Sequence, residues 1–209
     1  VFLRGDDIVC RGPEGERVIM QTSDIRIPGV HNVENYMAAI AAVDGLVPDA
    51  VIHDFARSFG GVEHRIELVR TLHGVRYYND SIASSPSRTI AGLRSFPGKV
   101  ILIAGGYDKH IPFDVLGPEV TAHVKLLVLC GATAGKIRAA VEAAPDYRPG
   151  HPEIIEVTPF RAAVEAARDR AVPGDVVTLS PACAAFDQFK NFAERGKVFK
   201  EIVRSWPEE

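Results

Sequence analysis

Cysteine, excess positive charge and long apolar runs are all scarce in this sequence, and each scarcity excludes a class of protein. The three cysteines, Cys10, Cys130 and Cys183, are odd in number and far apart among 209 residues, so neither a disulfide framework nor a zinc knuckle is expected. The formal net charge is -3 without a run of Lys and Arg, which argues against a nucleic-acid partner. No apolar stretch is long enough to span a membrane. We expect a cytoplasmic protein that binds small molecules.

Several motifs that mark catalytic sites are also absent. No Gly-rich loop ends in Gly-Lys-Ser or Gly-Lys-Thr, and no Gly-x-Gly-x-x-Gly opens a βα unit. The seven histidines lie outside any HExxH or CxxC motif, Ser180 has no evident partner base, and Asp80 has no obvious second carboxylate. The sequence therefore predicts a domain that holds a ligand while the chemistry is performed elsewhere.

Residues 1–61 are predicted to form one structural unit, which starts without an initiator methionine or a signal peptide and so looks like a cut end. Short strands are expected up to about residue 21, followed by an Ala-rich helix and a short helix that stops before Gly60 and Gly61. His31, Asn32 and Asn35 fall at the start of the Ala-rich helix. They are either a helix cap, which is the commoner use, or a ligand contact.

Residues 62–209 are predicted to form a second unit of the α/β class. Apolar strands alternate with helices, which is typical of a Rossmann-like, mostly parallel sheet with helices on both faces. His73-Gly74 predicts a hairpin that would make one edge antiparallel, and the order of the strands stays open. The predicted strands are 65–72, 75–78, 99–104, 125–130, 154–157 and 175–179, and the predicted helices are 85–96, 134–144, 160–171 and 186–203.

Three loops follow apolar strands, namely 79–85, 105–110 and 180–187. In a parallel sheet such loops meet at one edge, where ligands bind. The first loop offers serine hydroxyls, the second offers Lys109, and a helix that opens in the third would direct free amides outward. An acidic ligand is therefore predicted. The competing interpretation is a close-packed turn beside a solvated lysine.

Four segments resemble the Mur ligase family of peptidoglycan synthesis, and in particular its D-glutamate-adding members. These segments are HNVEN with its Ala-rich helix, EHRIE followed by YYNDSIAS, GGYDK, and LSPACAAFDQFKNFAERGKVF. The resemblance implies that residues 1–61 are the C-terminal part of the central ATP-binding domain and that residues 62–209 are the complete C-terminal domain. It also implies an ATP-dependent amide ligase that adds D-glutamate to UDP-N-acetylmuramoyl-L-alanine during cell wall biogenesis.

The resemblance also implies roles for individual residues, although it places no catalytic residue within this chain. The expected nucleotide contacts are Asn35, Arg65 and Asp80. The expected D-glutamate contacts are Ser84, Lys109, Ala185, Phe186 and Phe192. Mg²⁺ is expected to be held mostly outside the chain, and the protein is expected to be a monomer.

Two positions depart from the family pattern, and two other functions remain as rivals. Ala185 stands where the family often has Ser, and Ile82 replaces the Lys of the commoner NDSKAT pattern. One rival is a related ligase such as folylpolyglutamate synthase, against which the SPACAAFDQFKNF segment argues. The other is a stand-alone module that binds an acid or a nucleotide without catalysis. The isolated chain is expected to lack ligase activity.

Overall fold

The computed structural model describes residues 1–208, which divide into two compact units, Val1–Gly61 and the remainder from Val62. None of the helices among the described residues is long and apolar enough to cross a membrane. Each unit has its own hydrophobic core.

The first unit packs two helices against a three-stranded antiparallel sheet. Its elements are β1 (Phe2–Arg4), β2 (Asp7–Gly12), β3 (Gly15–Gln21), α1 (Val30–Val43) and α2 (Asp49–Ser58). Ile8, Tyr36 and Ile40 lie in its core. The predicted strands and helices of this unit are confirmed. The capping interpretation is wrong for the described part of the chain, because the N-cap of α1 is Gly29, where there is no side-chain cap hydrogen bond, and the Asn32 Nδ2 donates to the Pro28 carbonyl at 2.6 Å.

The second unit is built on a six-stranded sheet with helices between its strands. Its elements are β4 (Glu67–Leu72), β5 (Val75–Asn79), α3 (Pro86–Leu93), β6 (Val100–Ala104), α4 (Leu116–His123), β7 (Val124–Leu129), α5 (Ala134–Glu142), β8 (Glu153–Glu156), α6 (Phe160–Asp169), β9 (Val176–Leu179) and α7 (Phe192–Ser205). The strand order is β4-β5-β9-β6-β7-β8. Within this sheet only the edge pair β4 and β5 is antiparallel, which confirms the predicted hairpin and the mostly parallel sheet.

Helices cover both faces of this sheet, as predicted. On β6, Ile101 and Ile103 pack with α6 and α7, whereas Val100 and Leu102 pack with α3, α4 and α5. All five residues of β6 are buried, which explains why the strand is a continuous apolar run without alternation.

The largest differences from the sequence prediction are one additional helix and a later start of the last helix. Helix α4 was not predicted, because Gly117 and Pro118 lie inside it. A Cβ on Gly117 would lie 2.2 Å from the Ala140 carbonyl oxygen, so glycine permits the close approach of α4 to α5. The last helix begins at Phe192 and not at residue 186. The Asn191 side chain caps it by accepting from the Glu194 amide at 2.9 Å.

Candidate functional site

The three loops predicted to meet at one edge of the sheet do so. Strands β5, β9 and β6 are parallel neighbours, so the loops that leave their carboxyl ends lie side by side. The Gly105 amide donates to the Pro181 carbonyl at 2.9 Å, and the Tyr107 amide donates to the Ala184 carbonyl at 2.9 Å. The loop that carries Lys109 is thereby joined to the loop that carries Ala185.

Arg195, on the first turns of α7, holds two of these loops together and was missed by sequence reasoning. Its side chain is only 2% exposed. The Nε donates to the Ser81 Oγ at 3.0 Å, and the Nη2 donates to the carbonyls of Ser81 (2.9 Å) and Cys183 (3.0 Å). The Nη1 donates to the Ala184 carbonyl at 3.1 Å. Burial lowers the pKa of Arg195 to about 10, so the guanidinium remains charged at neutral pH.

Two glycines allow the backbone of the middle loop to pass close to its neighbours. Gly105 has φ of +110°, and a Cβ there would lie 1.9 Å from the Cys130 carbonyl oxygen. Gly106 has φ of +148°, and its Cβ would lie 2.4 Å from the Ala184 carbonyl oxygen. The buried Thr133 Oγ1 donates to the Gly106 carbonyl at 3.1 Å, which fixes the loop from the side of β7.

Lys109 is exposed, and none of the residues from 1 to 208 forms an ion pair or a hydrogen bond with its ammonium group. The adjacent Asp108 does not neutralise it, because that carboxylate pairs with Lys136 and accepts from the His110 amide at 2.8 Å. The hydrogen bond from Lys136 is the largest cause that lowers the pKa of Asp108. A positive charge is therefore available at this edge for an anionic ligand.

The other expected D-glutamate contacts lie on the same edge. Ala185 is buried, and its carbonyl accepts from the Phe189 amide at 2.8 Å. The amides of Ala185 and Phe186 donate no hydrogen bond to another residue of the described chain. Phe186 is 61% exposed, with its ring centroid 5.9 Å from that of Tyr107.

Phe192 and Ser84 complete the expected set around these loops. Phe192 is 38% exposed, and its ring meets that of His64 edge-on at 6.0 Å. Its carbonyl accepts from the Ser81 Oγ at 2.7 Å, which ties the start of α7 to the loop after β5. Ser84 is half-buried in that same loop, and its amide donates to the Ile82 carbonyl at 2.8 Å.

The three expected nucleotide contacts have different surroundings. Arg65 is exposed and unpaired within the described part of the chain. Asp80 is only 4% exposed, and its carboxylate accepts from the Ile66 amide at 3.3 Å and from the Ser180 Oγ at 2.7 Å. Ser180 therefore has a carboxylate partner that the sequence did not reveal. Asn35 belongs to the first unit, where its exposed side chain donates to the Asn32 Oδ1 at 3.5 Å.

Burial raises the pKa of Asp80 to about 7, despite the hydrogen bonds from Ser180 and Ile66 that favour the ionised form. The Ser180 hydroxyl is also 3.1 Å from the Thr89 Oγ1, and all three side chains are buried. Asp80 thus links the loop after β5 to the loop after β9 and to α3.

One cluster among residues 1–208 has the spacing of a metal site, but it does not fit a divalent cation. Ligand atoms of Glu63, His64 and Glu67 lie within 4.8 Å of one another. The Lys200 ammonium already pairs with Glu63 and Glu67, the latter at 3.0 Å. The second oxygen of Glu67 accepts from the Asn79 Nδ2 at 3.0 Å. Lys200 therefore supplies the positive charge that these carboxylates require.

Comparisons with known proteins agree with the α/β architecture of the chain. The family model described as Mur ligase, glutamate ligase domain, matches residues 64–183. The UDP-N-acetylmuramoylalanine--D-glutamate ligase of Acetivibrio thermocellus is 57% identical over 206 residues, which are 98% of this chain and 44% of that protein. The enzyme of the same name from Ruminiclostridium cellulolyticum is 52% identical over 207 residues, again 98% of this chain and 44% of the relative. The chain thus spans less than half the length of these curated relatives.

Solved structures share the fold at low sequence identity. A UDP-N-acetylmuramate-alanine ligase from Thermotoga maritima has a TM-score of 0.64 at 16% identity and covers 87% of this chain and 39% of its own. A folylpolyglutamate synthase from Mycobacterium tuberculosis, complexed with ADP, has a TM-score of 0.66 at 12% identity, with 97% of this chain and 46% of that chain covered. Because the matching family model spans more than half of the residues, the chain belongs to the Mur ligase family.

Proposed function

We propose that this chain is the amino-acid-binding part, and one side of the nucleotide site, of an ATP-dependent ligase that adds D-glutamate to UDP-N-acetylmuramoyl-L-alanine. The names of relatives that are 57% and 52% identical support this substrate, whereas the folylpolyglutamate synthase is only 12% identical. In this proposal residues 1–61 end the central ATP-binding domain, and residues 62–209 form the C-terminal domain. The reaction takes place in the cytoplasm, where ATP is available.

The proposal rests mainly on one observation, an unpaired lysine side chain at the edge of the sheet. The loop that carries this lysine is hydrogen-bonded to a neighbouring loop, two of whose backbone amides have no acceptor within the described residues. Lys109 has no ion-pair partner among residues 1–208, and the amides of Ala185 and Phe186 donate to no described residue. D-Glutamate has two carboxylates, and an ammonium and a pair of amides would each bind one of them. With both carboxylates fixed, the amine is the group left free to attack the acyl carbon.

Of the three residues expected near the nucleotide, two would contact it directly and one would act indirectly. The exposed Arg65 would pair with phosphate oxygens, and Asn35 of the first unit would contact the adenine side. The buried Asp80 would act by holding the loops in place, since its carboxylate is bonded to Ile66 and Ser180. ATP, when bound, supplies the phosphoryl group that activates the acyl carboxylate. No residue of this chain is assigned to Mg²⁺.

The 209-residue chain alone is expected to have no ligase activity. It spans 44% of its relatives and has no Gly-rich phosphate loop, so the acyl substrate and the triphosphate lack their binding groups. The measurement is ATP-dependent amide formation by the purified chain, with the complete protein as the positive control. Amide formation by the 209-residue chain would contradict this prediction.

In the complete protein, Lys109→Ala is expected to lower kcat/KM for D-glutamate by roughly tenfold or more, equivalent to about 1.4 kcal/mol, because the ion pair with one carboxylate is lost. Thermal stability should be unchanged, since the side chain is exposed and unpaired within the described residues. Lys109→Arg should restore activity only in part, because the planar guanidinium is larger than an ammonium. Steady-state kinetics at saturating ATP and acyl substrate test these expectations.

Lys197→Ala is the matched control for Lys109→Ala. Lys197 is also an exposed lysine of the second unit, and among residues 1–208 its only ion pair is a 3.9 Å contact with Glu201 on the same helix. Its replacement should leave kcat/KM for D-glutamate unchanged. If Lys109→Ala melts normally and keeps the wild-type kcat/KM, the lysine is a solvated loop residue and the carboxylate binds elsewhere.

A further inference from the structure

Arg195 is a buried charge without a negatively charged hydrogen-bond partner. It is 2% exposed, and its partners within the described residues are one hydroxyl and three carbonyl oxygens, all of them neutral. Burial of a charge that is hydrogen-bonded only to neutral groups costs free energy, so stability alone does not explain these four bonds. The guanidinium places a positive charge directly behind the loops of the candidate site, and the nearby Asp187 carboxylate attracts it without a hydrogen bond.

The carbonyls that Arg195 binds determine where the neighbouring amides point. In a planar trans peptide the C=O and the following N–H point in opposite directions. The Ala184 carbonyl accepts from both the Arg195 Nη1 and the Tyr107 amide, so the N–H of Ala185 in the same peptide unit points away from both. The Cys183 carbonyl, which also accepts from Arg195, likewise turns the Ala184 N–H away from the guanidinium.

A cation bonded to a carbonyl oxygen also polarises the peptide and strengthens its N–H as a donor. Ala184 and Ala185 are both buried, at 4% and 2% exposure, so this polarisation acts where water screens it little. The other end of the guanidinium holds the Ser81 carbonyl and hydroxyl, and therefore fixes the loop that carries Ser84 relative to Ala185.

We propose that Arg195 is a positioning residue for the carboxylate of the acceptor amino acid. It orients and polarises the peptide between Ala184 and Ala185, so that the Ala185 amide is aimed at the carboxylate, and it provides a positive charge behind that amide. It touches neither the substrate nor the nucleotide. This inference rests on the proposed function. It predicts a larger effect on the binding of D-glutamate than on the binding of ATP, because Arg195 forms no hydrogen bond with Arg65 or Asn35, the proposed direct contacts of the nucleotide.

The test is Arg195→Lys in the complete protein, measured as KM for D-glutamate and KM for ATP in the same assay. Lysine keeps the charge but cannot bond the four acceptors in one plane. The KM for D-glutamate is expected to rise by roughly tenfold or more, while the KM for ATP changes by less than about twofold. Arg204→Lys is the matched control, because Arg204 is an exposed arginine on the same helix, and both KM values should stay at wild type.

Two results would overturn the inference. One is an unchanged KM for D-glutamate, and the other is a parallel rise of both KM values with a lower Tm, which a merely structural role would produce. If Arg195→Lys does not fold, Ser81→Ala removes the hydroxyl that accepts from the Nε and also donates to the Phe192 carbonyl, and it leaves the bonds from Arg195 to the three carbonyls. It should raise the KM for D-glutamate about threefold without changing that for ATP, and no rise would also overturn the inference. A wild-type protein without D-glutamate-dependent ATP turnover would instead refute the proposed function.

Discussion

Gly105→Ala is expected to lower the free energy of unfolding by about 4 kcal/mol or more. The new Cβ would lie 1.9 Å from the Cys130 carbonyl oxygen, at a residue whose φ is +110°. Both the clash and the backbone strain act on a buried strand end, where the neighbouring atom belongs to the backbone and cannot rotate away. Urea unfolding of the 209-residue chain, followed by circular dichroism, measures the loss.

Gly135→Ala is the matched control for this substitution. Gly135 lies in the first turn of α5, where an added Cβ would have no atom within 4 Å apart from its chain neighbours and the backbone of its own helix, and its φ is not positive. Alanine is the better helix former, so the change is expected to be neutral or to stabilise by up to about 1 kcal/mol. An unfolding midpoint of Gly105→Ala equal to that of Gly135→Ala would contradict the steric argument.

Asp80→Asn is expected to stabilise the chain at pH 8 much more than at pH 4. Burial raises the pKa of the Asp80 carboxyl in the folded chain to about 7, from its ordinary value of 3.8. Between these values the folded state keeps a proton that the unfolded state has released, so wild-type stability falls as pH rises through this window. The asparagine cannot ionise, so the variant does not lose stability in this way. The loss in the wild type is at most about 4 kcal/mol in the free energy of unfolding. Thermal melting of both proteins from pH 4 to pH 8 tests the trend.

Asp80→Ala separates the charge from the hydrogen bonds. It removes the ionisable group, so the pH trend should also disappear, but it leaves the Ile66 amide and the Ser180 hydroxyl without their acceptor. Its stability should therefore be lower than that of Asp80→Asn at every pH. A stability difference between wild type and Asp80→Asn that does not vary with pH would show that the folded carboxyl ionises like an exposed one.

Much of the second unit could be predicted because its local patterns agree with its tertiary structure. The run from Val100 to Ala104 is apolar throughout because helices cover both faces of β6. Such a run can be recognised as a buried strand from the sequence alone. The turn at His73-Gly74 was predictable too, because a glycine between two strand-like runs marks a tight hairpin turn. Both residues adopt positive φ, as a type I′ turn requires. The strand order depends on contacts between distant segments and could not be predicted in this way.

The start of α7 was misjudged although a signal for it was present. Phe186 and Phe189 extend the apolar pattern of the helix backwards, but Asn191 followed three residues later by Glu194 is an N-terminal capping signature. Phe189 instead packs edge-on against Phe160 at 5.1 Å. The sequence prediction thus followed the apolar periodicity, whereas the cap formed by Asn191 marks where α7 begins.

The meeting of the three loops at one edge of the sheet was predicted, but not the residues that hold the loops together. A loop lysine after a buried strand is conspicuous in a sequence, whereas Arg195 resembles any charged residue on the solvent side of a helix. The available signal was its spacing, because Phe199 and Ile202 lie four and seven residues further along the same buried face. Its partners are backbone carbonyls, which no side-chain motif can reveal.

The two edges of the sheet resist strand addition by another chain, which bears on aggregation. β8 has only four residues, and its terminal Glu153 and Glu156 pair with Arg170 and Arg138. Short, charged edge strands are poor templates for intermolecular β-pairing. On the opposite edge, a register shift between Leu68 and Arg70 interrupts the ladder of β4. The open sheet can therefore present the loops of the candidate site at one end without offering its side edges to a growing β-aggregate.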